Sequence, residues 1–391
     1  MKYNFDKVID RSGTSAEKVE GLKHIWGRTD LIPLWVADMD FATAPFLTDA
    51  IRKRCENEVL GYTGKPDSYY NAIINWVKQR YDLIVTKEVI NFVPGIVPGI
   101  GMAMNCFTQK GDKVMIQPPV YHPFAWVTTR KERTLVINPL RWENGMYRMD
   151  LDAFREQIKG CKLFILCNPH NPGGVVWTEA ELRAIADICY DEKVLVFSDE
   201  IHADLTLPPH THRPFATVCE KARMNSVTFM SPSKAFNMPG LSASHALIFN
   251  EDLRKRFRIY MDAGELDMGH VFAFLSVEAA YSHGTEWLDQ CLAYIQGNID
   301  FVDEFLKKHA PKIKAIRPEA SYLVWLDCRE LELSQKDLNE FFVDKAHLAL
   351  NDGEMFGKEG IGFMRLNVAS PRCIIEKAMK QLADAYQLYI K

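Results

Sequence analysis

Neither sign of charge dominates this chain of 391 residues: 47 Lys and Arg stand against 51 Asp and Glu, leaving −4 with histidine neutral. So even a balance offers no electrostatic footprint for nucleic acid or for an anionic membrane surface. The nine cysteines are odd in number, scattered, and contain no Cys-x-x-Cys, which speaks against both a zinc site and a disulfide framework. Long apolar runs are scarce too. One uncharged stretch lies between Glu88 and Lys110, but Pro94, Gly95, Pro98, Gly99 and Gly101 break it. That is poor material for a helix in lipid, and a buried loop followed by a helix start is expected there. MKYNFDKVID has no signal-peptide pattern, so a protein of the reducing cytoplasm is expected.

Hydrophobic residues make up 47% and charged residues 25%, an ordinary globular composition. The length suggests about two domains. No repeat or low-complexity linker interrupts it. Short apolar runs recur instead, at Lys113–Gln117, Thr134–Asn138, Lys162–Cys167, Lys193–Ser198, Ser226–Met230 and Ser244–Phe249. They are continuous rather than alternating, as expected for strands covered on both faces. Between two of them Thr178 and Glu181 form a capping box, with Leu182, Ile185, Ala186 and Cys189 on one stripe. Strand–helix–strand in this order implies a parallel sheet with crossover helices. The last hundred residues differ. A helix near 287–308, a strand at Ser321–Asp327, a helix at Gln335–Ala346 and a final helix opened by Ser370-Pro371 predict a smaller α+β domain.

Ligands of an open parallel sheet sit beyond the carboxyl ends of its strands. After Lys162–Cys167 comes Asn168-Pro169-His170-Asn171-Pro172-Gly173-Gly174, a stiff loop able to aim an Asn side chain. After Lys193–Ser198 comes Asp199-Glu200-Ile201-His202, an acid that is costly to bury without a positive partner. After Ser226–Met230 comes Ser231-Pro232-Ser233-Lys234, a lysine among hydroxyls. Taken singly, each reads as a turn, an ion-paired acid and a surface lysine. Together they are what pyridoxal phosphate (PLP) requires: an amine to condense with its aldehyde and an acid to keep its ring nitrogen protonated.

This set resembles the fold-type I PLP enzymes, the aspartate aminotransferase superfamily. Ala37-Asp38-Met39-Asp40-Phe41, Gly61-Tyr62, Asn-Pro-His-Asn-Pro before Trp177, and Ser-Pro-Ser-Lys-Ala-Phe-Asn resemble the MalY/PatB class of C–S β-lyases. The resemblance runs from about Phe5 to the C-terminus. It implies an α/β fold: a large PLP-binding domain, residues 47–286, with a mostly parallel seven-stranded sheet. A small domain would be formed by residues 1–46 and 287–391. It also implies that Lys234 carries the cofactor and then serves as base, that Asp199 pairs with the ring nitrogen, and that Asn171 bonds the ring's phenolic oxygen. Tyr121 would stack on the ring and, with Lys234, could protonate a leaving thiolate. The phosphate would sit on the backbone amides of Gly95, Ile96 and Val97, helped by Ser231 and Ser233. His202 would belong to the cofactor site, and Tyr62 would reach the phosphate of a neighbouring subunit in a homodimer with shared sites. Arg365, in Phe363-Met364-Arg365-Leu366-Asn367, would hold the substrate carboxylate, with Asn171 and Tyr121 beside it.

Two departures from ordinary transaminases accompany the resemblance. His202 stands where many carry tyrosine, and no arginine follows Lys234 within the next ten residues. The implied reaction is α,β-elimination on an L-amino acid bearing sulfur at Cβ, L-cystathionine or a cysteine conjugate. An aminotransferase is the runner-up, since the same residues serve both. A non-catalytic regulator would carry a helix-turn-helix domain, for which the resemblance leaves no room. Other patterns point elsewhere. Gly95…Gly99-Ile100-Gly101 is not a dinucleotide fingerprint, and His210-Thr211-His212 reads as a surface loop rather than a metal site. Trp35, Asp38 and Asp40 either line the substrate entrance or belong to a packed N-terminal arm.

Overall fold

The structure, a computed structural model, describes residues 1–389. Seven strands form the larger sheet: β1 (Ile90–Val93), β2 (Lys113–Ile116), β3 (Thr134–Ile137), β4 (Cys161–Cys167), β5 (Leu195–Asp199), β6 (Ser226–Met230) and β7 (Ser244–Leu247). Their order across the sheet is β1-β7-β6-β5-β4-β2-β3. All pairings are parallel except those of β7, which runs antiparallel to both β6 and β1. The expected strands therefore form within a few residues of their predicted ends, and β1 is a correction. Ile-Asn-Phe-Val, expected to be loop, is buried throughout and pairs with β7. Four residues of buried strand carry too short a pattern to separate from buried coil.

Helices cover both faces, which is why β6 and β7 are buried at every position. α1 (Ile96–Phe107) follows β1 directly. α2 (Glu179–Asp191) begins at the expected capping box, with Thr178 and Glu181 each accepting the other's backbone N–H, and it buries Leu182, Ile185, Ala186 and Cys189.

α3 (Thr285–His309) leads into a four-stranded antiparallel sheet of β8 (Lys314–Ile316), β9 (Leu323–Asp327), β10 (Asn351–Asp352) and β11 (Phe363–Asn367), in the order β8-β9-β11-β10. The helix expected at Gln335–Ala346 is α-helical only to Glu340 and continues as a π turn through Phe341–Lys345. Phe341 and Phe342 are both buried there, so packing overrides the regular helical repeat. α4 (Arg372–Tyr389) closes the described chain; the last two positions of the expected 287–391 range lie outside the described residues. The N-terminal segment joins this smaller unit through Ile32–Pro33, which pairs in parallel with Leu348–Ala349. Residues 34–41 are thereby laid along the seam between the two sheets. No helix among the described residues is long and apolar enough to cross a membrane.

Candidate active site

The topology puts five loops at one edge. β1, β2, β4, β5 and β6 all run the same way, so their carboxyl ends open on the same side of the sheet. Gly95, Tyr121, Asn168–Asn171, Asp199 and Ser231–Lys234 follow those ends in turn.

Asp199 ends β5 and is buried. One of its oxygens accepts the backbone N–H of Ile201 at 3.1 Å. It makes no ion pair among the described residues. Burial is the main reason its pKa climbs to about 7; the Ile201 N–H and the charge of Lys234 oppose the climb, and Glu200 adds to it. Lys234 is also without a carboxylate partner. Its Nζ donates to the carbonyl of Ala37 at 2.6 Å, and the Tyr322 hydroxyl donates to the same oxygen at 2.9 Å. Burial, then the nearby Arg365 charge, draws the lysine down to about 8. A buried acid and a part-buried amine thus share the site without an ion-pair partner among the described residues, their pKa values drawn toward each other.

Arg365 lies on β11, buried at 4% exposure. Its guanidinium meets only neutral acceptors: Asn171 Oδ1 at 3.1 Å, the Trp35 carbonyl at 3.1 Å and Asn351 Oδ1, while Nε has no partner. The group rests over the ring of Phe356, 4.8 Å from its centre. Burial pulls its pKa down to about 10. A desolvated cation with an idle N–H and no carboxylate in ion-pair reach among the described residues is a socket for a carboxylate ligand.

Tyr121 sits close enough to feel both charges. Burial first, then Asp199, raises its hydroxyl pKa, and Arg365 acts in the opposite direction. His202 Nδ1 is buried without a partner; burial, then Lys234 and Arg365, hold the ring neutral with a pKa of about 3. Ser231 spends its hydroxyl proton on the Ala243 carbonyl at 2.7 Å and accepts Ser233 N–H at 3.1 Å. The Ser233 hydroxyl has no hydrogen-bond partner among the described residues. At the start of α1, Gly95 adopts φ 142° with no side-chain cap, so the first amides of the helix are free for an anion. Tyr62 stands apart, 99% exposed on a segment with the exposed apolar side chains Val59 and Leu60.

Several site partners were not expected from the sequence. Asn351 and the carbonyls of Trp35 and Ala37 hold Arg365 and Lys234, and a backbone carbonyl leaves no trace in side-chain pattern. Asp38 and Asp40 resolve as ion pairs of a packed arm. Arg11 Nη2 reaches Asp38 at 2.6 Å and Lys18 Nζ reaches Asp40 at 2.7 Å. His212 is not in a surface loop: it is buried, with Nε2 2.8 Å from Glu200 Oε2, while His210 lies 3.6 Å from Glu319.

These groups meet the demands of PLP. An unpaired amine, an unpaired buried acid, a half-buried tyrosine, free helix-start amides and an idle guanidinium share one strand edge. Each orphaned group lacks what the cofactor or a carboxylated substrate would offer.

Comparison with known proteins yields the same picture. A family model for class I and II aminotransferases matches residues 29–382. Cystathionine beta-lyase PatB of Bacillus subtilis (strain 168) is 37% identical over 384 residues, covering 98% of this chain and 99% of the relative. Protein MalY of Escherichia coli (strain K12) is 30% identical, covering 98% of each. Among solved structures, cystalysin from Treponema denticola, which contains a PLP cofactor, superposes with a TM-score of 0.96 at 33% identity and full coverage of both chains. A PLP-bound C–S lyase from Staphylococcus hominis gives 0.91 at 34%, covering 99% of this chain and 98% of that one.

Proposed function

The chain belongs to the class I and II aminotransferase family, and on that premise we propose that it is a PLP-dependent carbon–sulfur β-lyase. With one water, it converts L-cystathionine or related cysteine conjugates into a thiol, pyruvate and ammonia: elimination leaves aminoacrylate, whose hydrolysis after release gives the last two. The observation that carries this reading is the meeting of Lys234, Asp199 and the carboxylate-free Arg365 at one strand edge, in a chain 37% identical to a cystathionine β-lyase.

PLP, once bound, supplies an aldehyde that captures the substrate amine and a ring that takes up the electron pair left when the Cα proton departs. Lys234 Nζ, drawn down to about 8, takes that proton. Asp199 holds the proton on the ring nitrogen, and an opposing cation there favours its ionised form. Arg365 grips the substrate carboxylate, with Asn171 fixing the guanidinium. The departing thiolate has two donors, the proton just gained by Lys234 and the Tyr121 hydroxyl, which burial keeps protonated. The amides of Gly95, Ile96 and Val97 and the Ser233 hydroxyl bind phosphate. Ser231 orders that loop and neutral His202 lines the site.

The same reading makes the enzyme a homodimer, with Tyr62 completing the neighbour's phosphate site. Its near-total exposure beside Val59 and Leu60 supports a covering subunit. The domain division follows, 47–286 against 1–46 with 287–391, α3 bridging the two. Confinement to the cytoplasm is part of the proposal.

The family match also supports a second reading, an aminotransferase. Incubating the purified enzyme with L-cystathionine and no 2-oxo acid separates them. Pyruvate and ammonia accumulating over many turnovers are expected; a halt near one equivalent per site would transfer the assignment to the aminotransferase.

A further inference from the structure

We propose that Tyr322 is a positioning residue for Lys234: its hydroxyl fixes the Ala37 carbonyl as the resting place of the lysine amine and keeps that carbonyl bonded whenever the amine is engaged elsewhere. This rests on the reading of Lys234 as the residue that carries PLP, and it adds a second residue to the handling of that amine.

Tyr322 is fully buried at the entrance to β9. The residue before it, Ser321, adopts φ 80°, an uncommon setting for any residue but glycine. Backbone bonds pin that bend from both sides. Ser321 N–H donates to the Leu205 carbonyl at 2.9 Å, and Val368 N–H donates to the Tyr322 carbonyl at 2.9 Å. The side chain is thereby aimed at Ala37, whose oxygen accepts from the Tyr322 hydroxyl at 2.9 Å and from Lys234 Nζ at 2.6 Å. The carbonyls on either side are held by another donor: Asn367 Nδ2 takes those of Val36 and Asp38, at 2.6 and 2.7 Å. Among the described residues, the Ala37 oxygen has Tyr322 and Lys234 alone.

A carbonyl oxygen has two lone pairs, and here each has its own donor. One of the donors has to leave. Nζ joins the aldehyde carbon of PLP with loss of one water, and the substrate amine later takes that carbon and returns Nζ as a free amine. Joined to that carbon, Nζ keeps one N–H at most, against the two or three of the free amine. The Ala37 carbonyl then loses its lysine partner, and a shielded polar group with no partner is costly. The Tyr322 hydroxyl meets that need because it stays a donor throughout: burial, followed by the charge of Asp38, raises its pKa well above the ordinary value. It also acts on the free amine. The positive end of the Tyr322 O–H faces the same oxygen as the ammonium, which disfavours the charged lysine. Arg365, Asp38 and Asp199 are the charges facing Nζ, and Asp38, Asp40, Arg365 and the Cys291 thiol face the hydroxyl. The neutral His202 ring lies 6.4 Å from that of Tyr322.

Tyr322→Phe keeps the ring and deletes the hydroxyl, and two of its readouts need no turnover. Titrating the full chain, stripped of PLP, with the cofactor should give a dissociation constant roughly tenfold above wild type, the scale of one carbonyl left without a partner. Competitive acetylation of the stripped chain across pH, with the Lys234 peptide quantified by mass spectrometry, should place the lysine's midpoint above its wild-type value. With PLP saturating, pyruvate release from L-cystathionine should show a lower kcat at little change in KM, and its pH profile should move to the alkaline side. Tyr69→Phe deletes another fully buried tyrosine hydroxyl, one without a partner among the described residues, and should leave all three readouts unchanged. An unchanged dissociation constant or an unchanged Lys234 midpoint in Tyr322→Phe would overturn the proposal, as would equal changes in Tyr69→Phe. A wild type that releases no pyruvate would overturn the lyase reading alone, since the two measurements on the stripped chain still decide the role of Tyr322.

Discussion

Replacing Arg365 by lysine keeps a positive charge and removes the fork. Arginine presents paired N–H groups to a carboxylate; lysine presents a point charge. One charge-assisted bond is lost, worth roughly 1.5–3 kcal/mol, together with stacking over Phe356 worth about 0.5–2 kcal/mol. Asn171 and Asn351 also lose their shared donor. A summed loss of about 2–5 kcal/mol corresponds to a fall in kcat/KM of roughly thirtyfold to a few thousandfold. The assay is pyruvate release from L-cystathionine, run beside the corresponding substrate with its α-carboxylate converted to a carboxamide. The wild type should discriminate strongly against the amide, and Arg365→Lys should discriminate weakly. A fall of less than threefold, or an equal fall on both compounds, would refute the carboxylate socket.

Lys234→Ala should abolish elimination while leaving the far-UV circular dichroism unchanged; substantial residual turnover would sink the assignment of the base. Tyr62→Ala should weaken PLP binding by about tenfold or more, on the scale of a lost bond to a charged group. Light scattering should give twice the 44.8 kDa of the chain, and a monomeric mass would end the shared-site reading. His245 is fully buried with both ring nitrogens unpartnered, and burial lowers its pKa from 6.5 to about 3. Between those values the unfolded chain holds the extra proton, so the stability this residue contributes is present above pH 6.5 and drains away as pH falls toward 3. His245→Leu should flatten the acid side of the urea-unfolding stability curve by up to about 1.4 kcal/mol per pH unit; an unaltered slope would show that the ring is not held neutral.

Much of this was legible before the fold. Ser226–Met230 formed as expected because five consecutive apolar-compatible residues between turn signals suit a strand covered on both faces. The residues at three strand ends announced their chemistry by type alone, since lysine, acid and aimed asparagine seldom follow successive buried strands. Less legible was whatever depended on pairing. Ile90–Val93 became a strand through β7, far away in sequence. His212 left the surface because Glu200 needed it, the carboxylate also accepting from the Ser198 hydroxyl and Phe215 N–H. Asn351 reached Arg365 only through the pairing of β10 with β11.

The stretch from Trp35 to Phe41 is gripped by its carbonyls. Arg365 takes the Trp35 oxygen, Asn367 those of Val36 and Asp38, Lys234 and Tyr322 that of Ala37, and Asn237 those of Met39 and Phe41. Every residue type carries that oxygen. A substitution at Val36 can thus exchange the side chain without altering the grip, provided the chain keeps its path. The hold rests on the distant donors, so a substitution scan should find Asn237 and Asn367 intolerant while Val36, held through its carbonyl, tolerates exchange.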